Sequence, residues 1–438
     1  MRAVKSWQSE MGERMTVREG ESRARSDRFD IVIVGGGMAG SSLAIVLARS
    51  GLSVGMLERD PDPVDRVRGE FMALWGVIEL KRLGLLNLLT GAGGVFSRRH
   101  IPYDENMPGE QALANALDLS RLIPEVEGAF CMGHPAMCRA LAAEAERLGV
   151  VFLRGVEDVE VYEGERPAVA FTRDGLRAEW RPRLVIGADG RNSVVRRQLA
   201  MKVLADPPHD LLGGMLVDGV PEWPQDTQVI GTEERAHFLI FPQGGDRIRL
   251  YLCYDFADKA LYSGADRQQR LIDMFARLRC LPQAGMIAAC RPIGPFNSFS
   301  NEDRWVEDPT APGVVLIGDA AGYNDPITGQ GLSIALRDVR LVSEIVLAGG
   351  YDRESFRPYV EERLERMRRL RIAARLAAVL RAEFGEEARQ RRQLVLRRIL
   401  VDKMPGPSAA TLIGPDKLPA VNFEQATLDA LLSPSTVH

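Results

Sequence analysis

One stretch near the start of the chain decides the fold: Phe29–Glu58, which reads FDIVIVGGGMAGSSLAIVLARSGLSVGMLE. Its first six residues are mostly apolar and β-branched, as in a buried strand of a parallel sheet. After a run of glycines, apolar residues recur at helical spacing up to Arg49, and Gly51 ends this predicted helix. A second strand is predicted over Leu52–Leu57. The stretch therefore predicts a β-strand–helix–β-strand unit that begins a Rossmann-like α/β domain.

The glycines between the first strand and the helix form the pattern GxGxxG at Gly35, Gly37 and Gly40. Gly35 permits a tight turn, Gly37 lets the backbone approach a diphosphate, and Gly40 allows close packing of helix and strand. The helix N-terminus supplies free N–H groups and partial positive charge for the diphosphate. Glu58 ends the second strand, where its carboxylate can accept hydrogen bonds from a ribose. These positions predict a dinucleotide site.

The middle of the chain changes to strand-like alternation. Predicted strands over Phe238–Phe241 and Arg247–Tyr254 flank the turn sequence PQGGD. In the second strand, Ile248 and every second residue up to Tyr254 point one way, and Arg249, Tyr251 and Cys253 point the other way. The alternation predicts an antiparallel sheet with one buried face, inserted into the nucleotide-binding domain.

The full prediction is an α/β fold with an inserted antiparallel sheet domain and a C-terminal helical segment. Helices are also expected over Glu70–Arg82, Ala136–Leu148 and Gly329–Ala348. The predicted units are a disordered N-terminal extension (1–28), a discontinuous dinucleotide-binding domain (29–202 and 292–350) that includes part of the substrate sheet, a substrate-binding sheet domain (203–291) and a C-terminal helical region (351–438).

The C-terminal region is rich in arginine from Asp352 to Leu400. An apolar stripe, Leu364, Met367, Leu370, Ala374 and Ala377, recurs there at helical spacing. We interpret it as an amphipathic helix that packs on the first domain and exposes a solvated, basic face. Contact with an anionic membrane surface is the open alternative.

Composition excludes several classes of protein. The formal net charge of −4 gives no electrostatic case for nucleic acid binding. No apolar run approaches the roughly 20 residues that span a bilayer, and the first 28 residues have no apolar core of a secretory signal. The five cysteines have no paired or zinc-like spacing, which favours reduced thiols and a cytoplasmic location, and no metal site is predicted.

Two later segments show which dinucleotide is expected. Gly187–Ser193 reads GADGRNS after a short strand, and Gly318–Gly322 reads GDAAG after the predicted strand Val314–Ile317. Asp325–Leu332, DPITGQGL, then leads into a helix. In this order the segments resemble the FAD-binding signature of the para-hydroxybenzoate hydroxylase-like flavoproteins. That family includes the single-component (group A) flavin monooxygenases and is related to flavin halogenases and geranylgeranyl reductases.

The resemblance assigns roles to residues around the flavin. Asp319 matches the residue that binds the ribityl chain, and Pro326 matches a proline whose backbone lies beside the flavin ring and the substrate. Asp189 matches a motif that serves FAD and the nicotinamide cofactor. Other positions that match or are predicted as cofactor contacts are Gly35, Gly37, Ala39, Gly40, Glu58, Arg59, Arg66, Arg68, Arg139, Gly329, Gln330, Gly331 and Leu332.

The substrate side is predicted from the middle sheet. Its candidate pocket residues are Phe238, Ile240, Tyr251 and Tyr254, which suit an apolar or aromatic small molecule. None of the five histidines has the spacing of a metal pair. The scarcity of acid–base residues fits chemistry that a cofactor supplies.

The resemblance implies an FAD-dependent monooxygenase that uses NADPH or NADH and O₂ and inserts one oxygen atom through a C4a-hydroperoxyflavin. Two alternatives stay open. The first is an FAD-dependent reductase of isoprenoid double bonds, because the sequence after Asp319 has Gly322 where many hydroxylases have His. The second is a non-catalytic FAD-fold carrier protein. Dependence on a separate flavin reductase, the choice of nicotinamide and the oligomeric state also stay open.

Overall fold

The computed structural model describes residues 28–67 and 69–433. Arg28 already belongs to the first strand, and the rest of the predicted N-terminal extension lies outside the described residues. The helices, in chain order, are α1 Met38–Arg49, α2 Leu74–Arg82, α3 Leu86–Gly91, α4 Gly109–Ala114, α5 His134–Arg147, α6 Val194–Gln198, α7 Arg267–Ala276, α8 Ala284–Ile287, α9 Gly331–Leu347, α10 Arg357–Arg381, α11 Glu386–Leu400, α12 Ala410–Ile413 and α13 Gln425–Leu432.

The strands are grouped in two large sheets and two small ones. In chain order they are β1 Arg28–Val34, β2 Val54–Glu58, β3 Phe71–Met72, β4 Val95–Ser97, β5 Arg99–Asp104, β6 Leu117–Asp118, β7 Ala129–Cys131, β8 Val151–Arg154, β9 Glu157–Tyr162, β10 Ala168–Arg173, β11 Leu176–Gly187, β12 Leu204–Ala205, β13 Asp210–Asp218, β14 Thr227–Glu233, β15 Ala236–Pro242, β16 Ile248–Tyr254, β17 Arg291–Pro292, β18 Asn297–Asn301, β19 Arg304–Trp305, β20 Thr310–Ala311, β21 Val314–Leu316 and β22 Gly322–Tyr323.

The first large sheet is built around β1, as the opening stretch predicts. Its order is β20-β21-β11-β1-β2-β8, and β1 pairs in parallel with both β2 and β11. Ile31 and Ile33 pack on one face of the sheet and Val32 and Val34 on the other, so the strand is apolar on both sides. Helix α1 packs between α5 and α9 on one of these faces. The predicted Rossmann-like domain is confirmed.

The second large sheet is mainly antiparallel, in the order β17-β13-β16-β15-β14-β5-β6, with β18 paired to β13. It takes strands from both sides of 203–291, and the division of the chain into domains stays a prediction. The expectation of one buried face was wrong, because all seven residues of β16 are buried. One face packs against α7 and α8, and the other faces the dinucleotide-binding half of the molecule.

The predicted helix over Glu70–Arg82 begins later, at Leu74. Phe71 and Met72 instead form β3, which pairs with β7. Glu70 is fully buried beside Arg249, and this tertiary contact holds the segment in an extended conformation. Helical periodicity therefore predicted the helix but not its start.

The arginine-rich region forms two helices, α10 and α11, separated at Gly385, which has a φ of +94°. Of the predicted apolar stripe, Met367, Leu370, Ala374 and Ala377 are buried, whereas Leu364 is exposed. Within the part of the chain that the structure describes, no helix combines the length and apolar character needed to cross a bilayer.

The prediction of a basic face in solvent was wrong for part of α10, because three of its arginines, Arg363, Arg366 and Arg371, are buried. Arg363 and Arg366 both pair with the buried carboxylate of Asp338 on α9, at 3.1 and 2.6 Å. Arg363 also donates hydrogen bonds to the carbonyl oxygens of Gly318, Ala321 and Gly322. Asp338 accepts a further bond from the Gly318 N–H at 2.8 Å. This cluster fixes the 318–322 turn against both helices.

We expect Arg363→Met to lower the free energy of unfolding by about 3–5 kcal/mol, since it removes one buried partner and leaves carbonyl groups without donors. The matched control is Arg357→Met on the same helix, where the side chain is exposed and pairs only with Glu354 and Glu361. That change should leave the free energy of unfolding essentially unchanged. Urea unfolding of both variants measures the difference, and equal effects would contradict the structural role of Arg363.

Candidate active site

A cavity of about 1510 Å³ lies where the C-terminal ends of β1 and β2 meet the inner face of the second sheet. Its lining includes the glycine turn after β1, the 318–319 turn, the 326–332 segment and side chains of β14, β15 and β16. The volume exceeds the roughly 300–1,000 Å³ of common small-molecule sites. The cavity can therefore hold a dinucleotide and a second molecule together.

The three motif glycines have different surroundings. Gly35 has a φ of +109°, and a Cβ there would lie 2.4 Å from the Ala188 carbonyl oxygen. A Cβ on Gly40 would lie 1.9 Å from the Gly35 carbonyl oxygen, as close helix packing requires. A Cβ on Gly37 would meet no protein atom within 4 Å. Gly37 thus leaves open space at the start of α1, where a diphosphate would approach.

Glu58 lies beside this turn at the end of β2. One oxygen of its carboxylate accepts a hydrogen bond from the Gly36 N–H at 2.7 Å, and the other accepts one from the Asp60 N–H at 2.9 Å. Helix α1 begins after Gly37 without a side-chain cap. The first-turn N–H groups of α1 therefore remain available to an anion.

Asp319 lines the cavity from the turn after β21. Its Oδ2 lies 3.4 Å from the Arg191 Nε, and the Arg191 guanidinium lies over the Tyr323 ring at 4.4 Å. Arg196 donates hydrogen bonds to the carbonyl oxygens of Asp319 and Ala320. The GADGRNS and GDAAG segments are thereby joined into one wall of the cavity.

Asp189 combines a structural contact with a free atom. Its Oδ2 accepts hydrogen bonds from the N–H groups of Val194 and Val195 at 2.6 and 3.2 Å, which fixes the start of α6. Its Oδ1 is buried without a hydrogen-bond partner in the described structure. Because a buried carboxylate oxygen normally has a donor, this atom is suited to a bound ligand.

Pro326 begins a single turn of 3₁₀ helix that ends at Gly329, which has a φ of +66°. Asp325 accepts the Ile327 N–H at 2.9 Å, and His209 contacts the Asp325 carboxylate from outside. Burial disfavours the charged imidazole, yet the carboxylates of Asp210 and Asp325 raise the pKa of His209 to about 10. A charged His209 therefore braces the Pro326 turn at neutral pH.

Gln330 holds the same segment from its other side. The Trp75 indole N–H donates to the Gln330 amide oxygen at 2.9 Å, and the Gln330 amide N–H donates to the Thr411 carbonyl oxygen at 3.0 Å. Gln330 is buried, and helix α9 begins at Gly331 without a side-chain cap. The α9 N-terminus therefore presents its partial positive charge to the cavity.

The predicted arginines lie at the rim of the cavity. Arg59 and Arg66 both pair with Asp60, and Arg139 pairs with Asp62 at 3.2 Å. All three side chains are largely exposed, which leaves them free to turn towards a ligand. Arg68 lies outside the described residues.

The predicted cofactor residues converge on this one cavity. Those that line it are Gly35, Gly37, Ala39, Glu58, Arg59, Arg66, Arg139, Asp189, Asp319, Pro326, Gly329, Gln330, Gly331 and Leu332. Gly40 packs behind the glycine turn instead. Two uncapped helix starts, an open glycine and an unpartnered carboxylate oxygen fit a diphosphate, a ribityl chain and an anionic ring edge, so these residues fit FAD.

The structure brings one of the four predicted substrate residues to the cavity. Tyr251 lines the cavity, but Phe238, Ile240 and Tyr254 point to the opposite face and pack in the core against α7 and α8. Alternate residues of the same strands, Leu239 and Phe241 among them, face the cavity. Since both faces of the sheet are buried and apolar, alternation alone did not show which face meets the cavity.

A buried charged cluster that the sequence reading missed lies where the second sheet meets the 65–70 segment. Arg249 pairs with both Glu70 and Asp65, and the Tyr251 hydroxyl donates to Glu70 at 2.9 Å. Burial raises the pKa of Glu70. The positive charge of Arg249 offsets part of this increase and the negative charge of Asp65 adds to it, so that the pKa is about 7. Glu70 lines the cavity, so an acid that titrates near neutral pH adjoins the site.

The C-terminal region also lines the cavity, which sequence reasoning did not predict. Its contributing side chains come from α10, α11 and α12 and the segment before α12: Leu380, Arg381, Arg392, Leu396, Ile399, Leu400, Ser408, Ala409, Thr411 and Leu412. The sequence contains one sign that α10 packs against α9. Asp338 interrupts the apolar face of α9, and arginines three residues apart at Arg363 and Arg366 are suited to pair with it.

A comparison with protein families shows the family of the chain. A family model described as an FAD binding domain matches residues 28–373. The chain belongs to this FAD-binding family. The match confirms the resemblance drawn from the motifs.

Three similar proteins illustrate the family. Squalene epoxidase from Aspergillus fumigatus is 26% identical over 330 residues, which cover 72% of this chain and 66% of the relative. The probable electron transfer flavoprotein-quinone oxidoreductase YdiS of Escherichia coli is 28% identical over 342 residues, covering 74% and 77%. The crystal structure of PqsL, a probable FAD-dependent monooxygenase from Pseudomonas aeruginosa, superposes with a TM-score of 0.69 at 22% identity, covering 84% of this chain and 98% of PqsL. The chain spans less than two thirds of the length of the squalene epoxidases it matches.

We expect Gly37→Ala to weaken FAD binding at least about tenfold while leaving the unfolding of the FAD-free protein unchanged, because the added methyl group enters only the space for the diphosphate. Gly35→Ala is the matched comparison. It places alanine at positive φ against the Ala188 backbone and should lower the stability of the FAD-free protein itself. FAD titration by flavin fluorescence and thermal unfolding of both variants separate the two effects. Loss of stability in Gly37→Ala would contradict an open cradle.

Glu70 gives the protein a pH dependence of defined sign. Its folded-state pKa, about 7, lies above the usual 4.5, so below pH 4.5 the folded and unfolded states bind this proton equally. As the pH rises towards and through 7, the buried charge should lower the free energy of unfolding by about 2–3 kcal/mol. Glu70→Gln should remove this slope while it keeps hydrogen bonding to Arg249 and Tyr251. Urea unfolding at pH 5, 6, 7 and 8 compares the two proteins, and parallel profiles would contradict the assignment.

Proposed function

We propose that this chain is an FAD-dependent monooxygenase that inserts one oxygen atom from O₂ into an apolar or aromatic small molecule, with NADPH or NADH as the reductant. One observation carries the proposal: the FAD cradle and an apolar sheet face share a single cavity, and the Pro326 turn lies where they meet. A substrate on the sheet face would thereby lie against the flavin ring.

The chain's own residues would bind the cofactor, orient the substrate and shield both from water. When bound, FAD supplies hydride acceptance and the activation of O₂. The N-terminus of α9 stabilises negative charge at its end of the cavity, and the Asp319 and Glu58 carboxylates hold hydroxyl groups of the cofactor. Leu239, Phe241 and Tyr251 provide an apolar surface for the substrate.

Exclusion of water would be the task of the C-terminal region. Side chains from α10 to α12, including Leu396 and Leu412, line part of the cavity. Mostly apolar walls limit the access of water to reactive oxygen species. This arrangement supports oxygen insertion over a purely reductive role.

The similar proteins support the same choice. A squalene epoxidase and a probable FAD-dependent monooxygenase carry oxygenase names, and the quinone oxidoreductase supports a general role in flavin redox chemistry. We further propose a cytoplasmic location, supported by five cysteines that are all buried and unpaired.

Rapid mixing of the FAD-loaded protein tests this function. Anaerobic NADPH or NADH should bleach the flavin absorbance, and admission of ¹⁸O₂ with 2-naphthol as a probe should give a product that carries one ¹⁸O atom. Gly37→Ala serves as the cofactor-binding control, and it is compared with the wild-type protein at equal flavin content. A product that gains hydrogen without oxygen would show the double-bond reductase instead. Flavin that neither nicotinamide reduces would overturn a self-sufficient monooxygenase.

A further inference from the structure

The inner face of the second sheet is apolar near the Pro326 turn but carries a group of polar side chains further along. Two cross-strand pairs contribute to it. His100 on β5 lies opposite Gln228 on β14, and Thr232 on β14 lies opposite His237 on β15. A Gln228 amide nitrogen lies 3.0 Å from the His100 Nδ1, and the Thr232 hydroxyl lies 3.0 Å from the His237 Nδ1. All four side chains line the cavity.

Arg381, the last residue of α10, extends into the same part of the cavity. Its Nη1 donates to the Ile327 carbonyl oxygen at 3.3 Å, which ties the guanidinium to the turn that begins at Pro326. Burial lowers the pKa of Arg381, although a guanidinium stays charged even so. A positive charge is thus held beside the place where substrate and flavin would meet.

Arg381 differs from every other arginine that lines the cavity in the described ranges. The other six each have a carboxylate within ion-pair distance, and they are Arg59, Arg66, Arg139, Arg154, Arg191 and Arg392. No carboxylate of residues 28–67 or 69–433 lies within 4 Å of the Arg381 guanidinium. The carboxylate of Asp104, which also lines the cavity, is bound by Arg392 at 2.9 Å. Arg381 therefore carries the uncompensated charge of this site.

The neighbouring groups have free polar atoms. The Nε2 of His237 and the Oε1 of Gln228 are buried without hydrogen-bond partners in the described structure, and each side chain is 1% exposed. Burial and the charge of Arg381 lower the pKa of His100 to about 4 and lower that of His237 as well. Both imidazoles are neutral at pH 7, so they can accompany an anion on Arg381 without competing with it for a proton.

We propose that the substrate carries a carboxylate that pairs with Arg381, with the Nε2 of His237 beside it, while its apolar or aromatic part lies on Leu239 and Tyr251. A guanidinium whose Nη2 and Nε remain free matches the planar geometry of a carboxylate. Arg381 is half-buried at the cavity wall, and a bound anion would give its charge the partner that it lacks among the described residues. This inference rests on the proposed function and narrows its substrate class to apolar or aromatic acids.

Ligand binding to the FAD-loaded full chain tests the proposal without turnover. The probes are benzoate, 2-naphthoate and decanoate, each compared with its primary amide by isothermal titration calorimetry. We expect at least one acid to bind the wild-type protein at least about tenfold more tightly than its amide, the size of effect typical of a charged hydrogen-bonded pair. If no acid is preferred over its amide, the proposal is overturned.

Variants test whether Arg381 causes the preference for acids over amides. Arg381→Gln should bring the acid-to-amide ratio close to one with little change in amide affinity, and Arg381→Lys should keep part of the preference. Arg375→Gln, an exposed position on the same helix, is the matched control and should keep all of it. FAD retention of each variant reports intact folding, and the Lys variant covers the case in which the Gln variant loses FAD. A preference that survives in Arg381→Gln overturns the proposal.

The outcome is separable from that of the proposed function. Binding of acids through Arg381 without oxygen insertion would uphold the anion site and reject the monooxygenase. Oxygen insertion into 2-naphthol, with no preference for acids over their amides, would uphold the monooxygenase and reject the anion site.

Discussion

The carboxylate of Asp338 is the contact on which the cofactor side of the molecule depends. It lies in the interior of α9, accepts the Gly318 N–H and pairs with two arginines of α10. Arg363 then binds three carbonyl oxygens of the turn that carries Asp319. A buried charge is costly unless its partners are complete, and here the partners come from two other parts of the chain, the 318–322 turn and α10. The turn, α9 and α10 are thus held together as one unit.

The charged side chains around the cavity also follow the rule that a buried charge needs a complete set of partners. Near the FAD cradle, exposed arginines pair with the half-buried Asp60 and the exposed Asp62, and such pairs open at little cost when a ligand arrives. Deeper in the cavity, Glu70 and Arg249 are enclosed and remain paired in the resting protein. Arg381 is the exception in the described structure, and for that reason it indicates the chemistry of the ligand.

The FAD half could be predicted from the sequence because its determinants are local. Gly35 needs a positive φ and Gly37 needs an empty space, and both follow from one turn between a strand and a helix. The substrate half could not be predicted in the same way. Phe238 and Leu239 are adjacent, apolar and buried, and only the packing of whole sheets decides which of them meets the cavity. Arg363 and Arg366 of α10 resemble solvated arginines in sequence, because their partner Asp338 is remote along the chain.

Helix α10 joins these two halves in a further way. It contains both Arg363, which secures the cofactor turn, and Arg381, which ends in the substrate space, and it continues without a break between them. The family match ends at residue 373, between these two arginines. An inserted or deleted residue after that point would turn the helix by about 100°, moving the terminal guanidinium off the cavity while the cofactor turn kept its anchor. Small changes of length in this one helix are therefore a route by which relatives sharing the FAD-binding half could diverge in the molecules they accept.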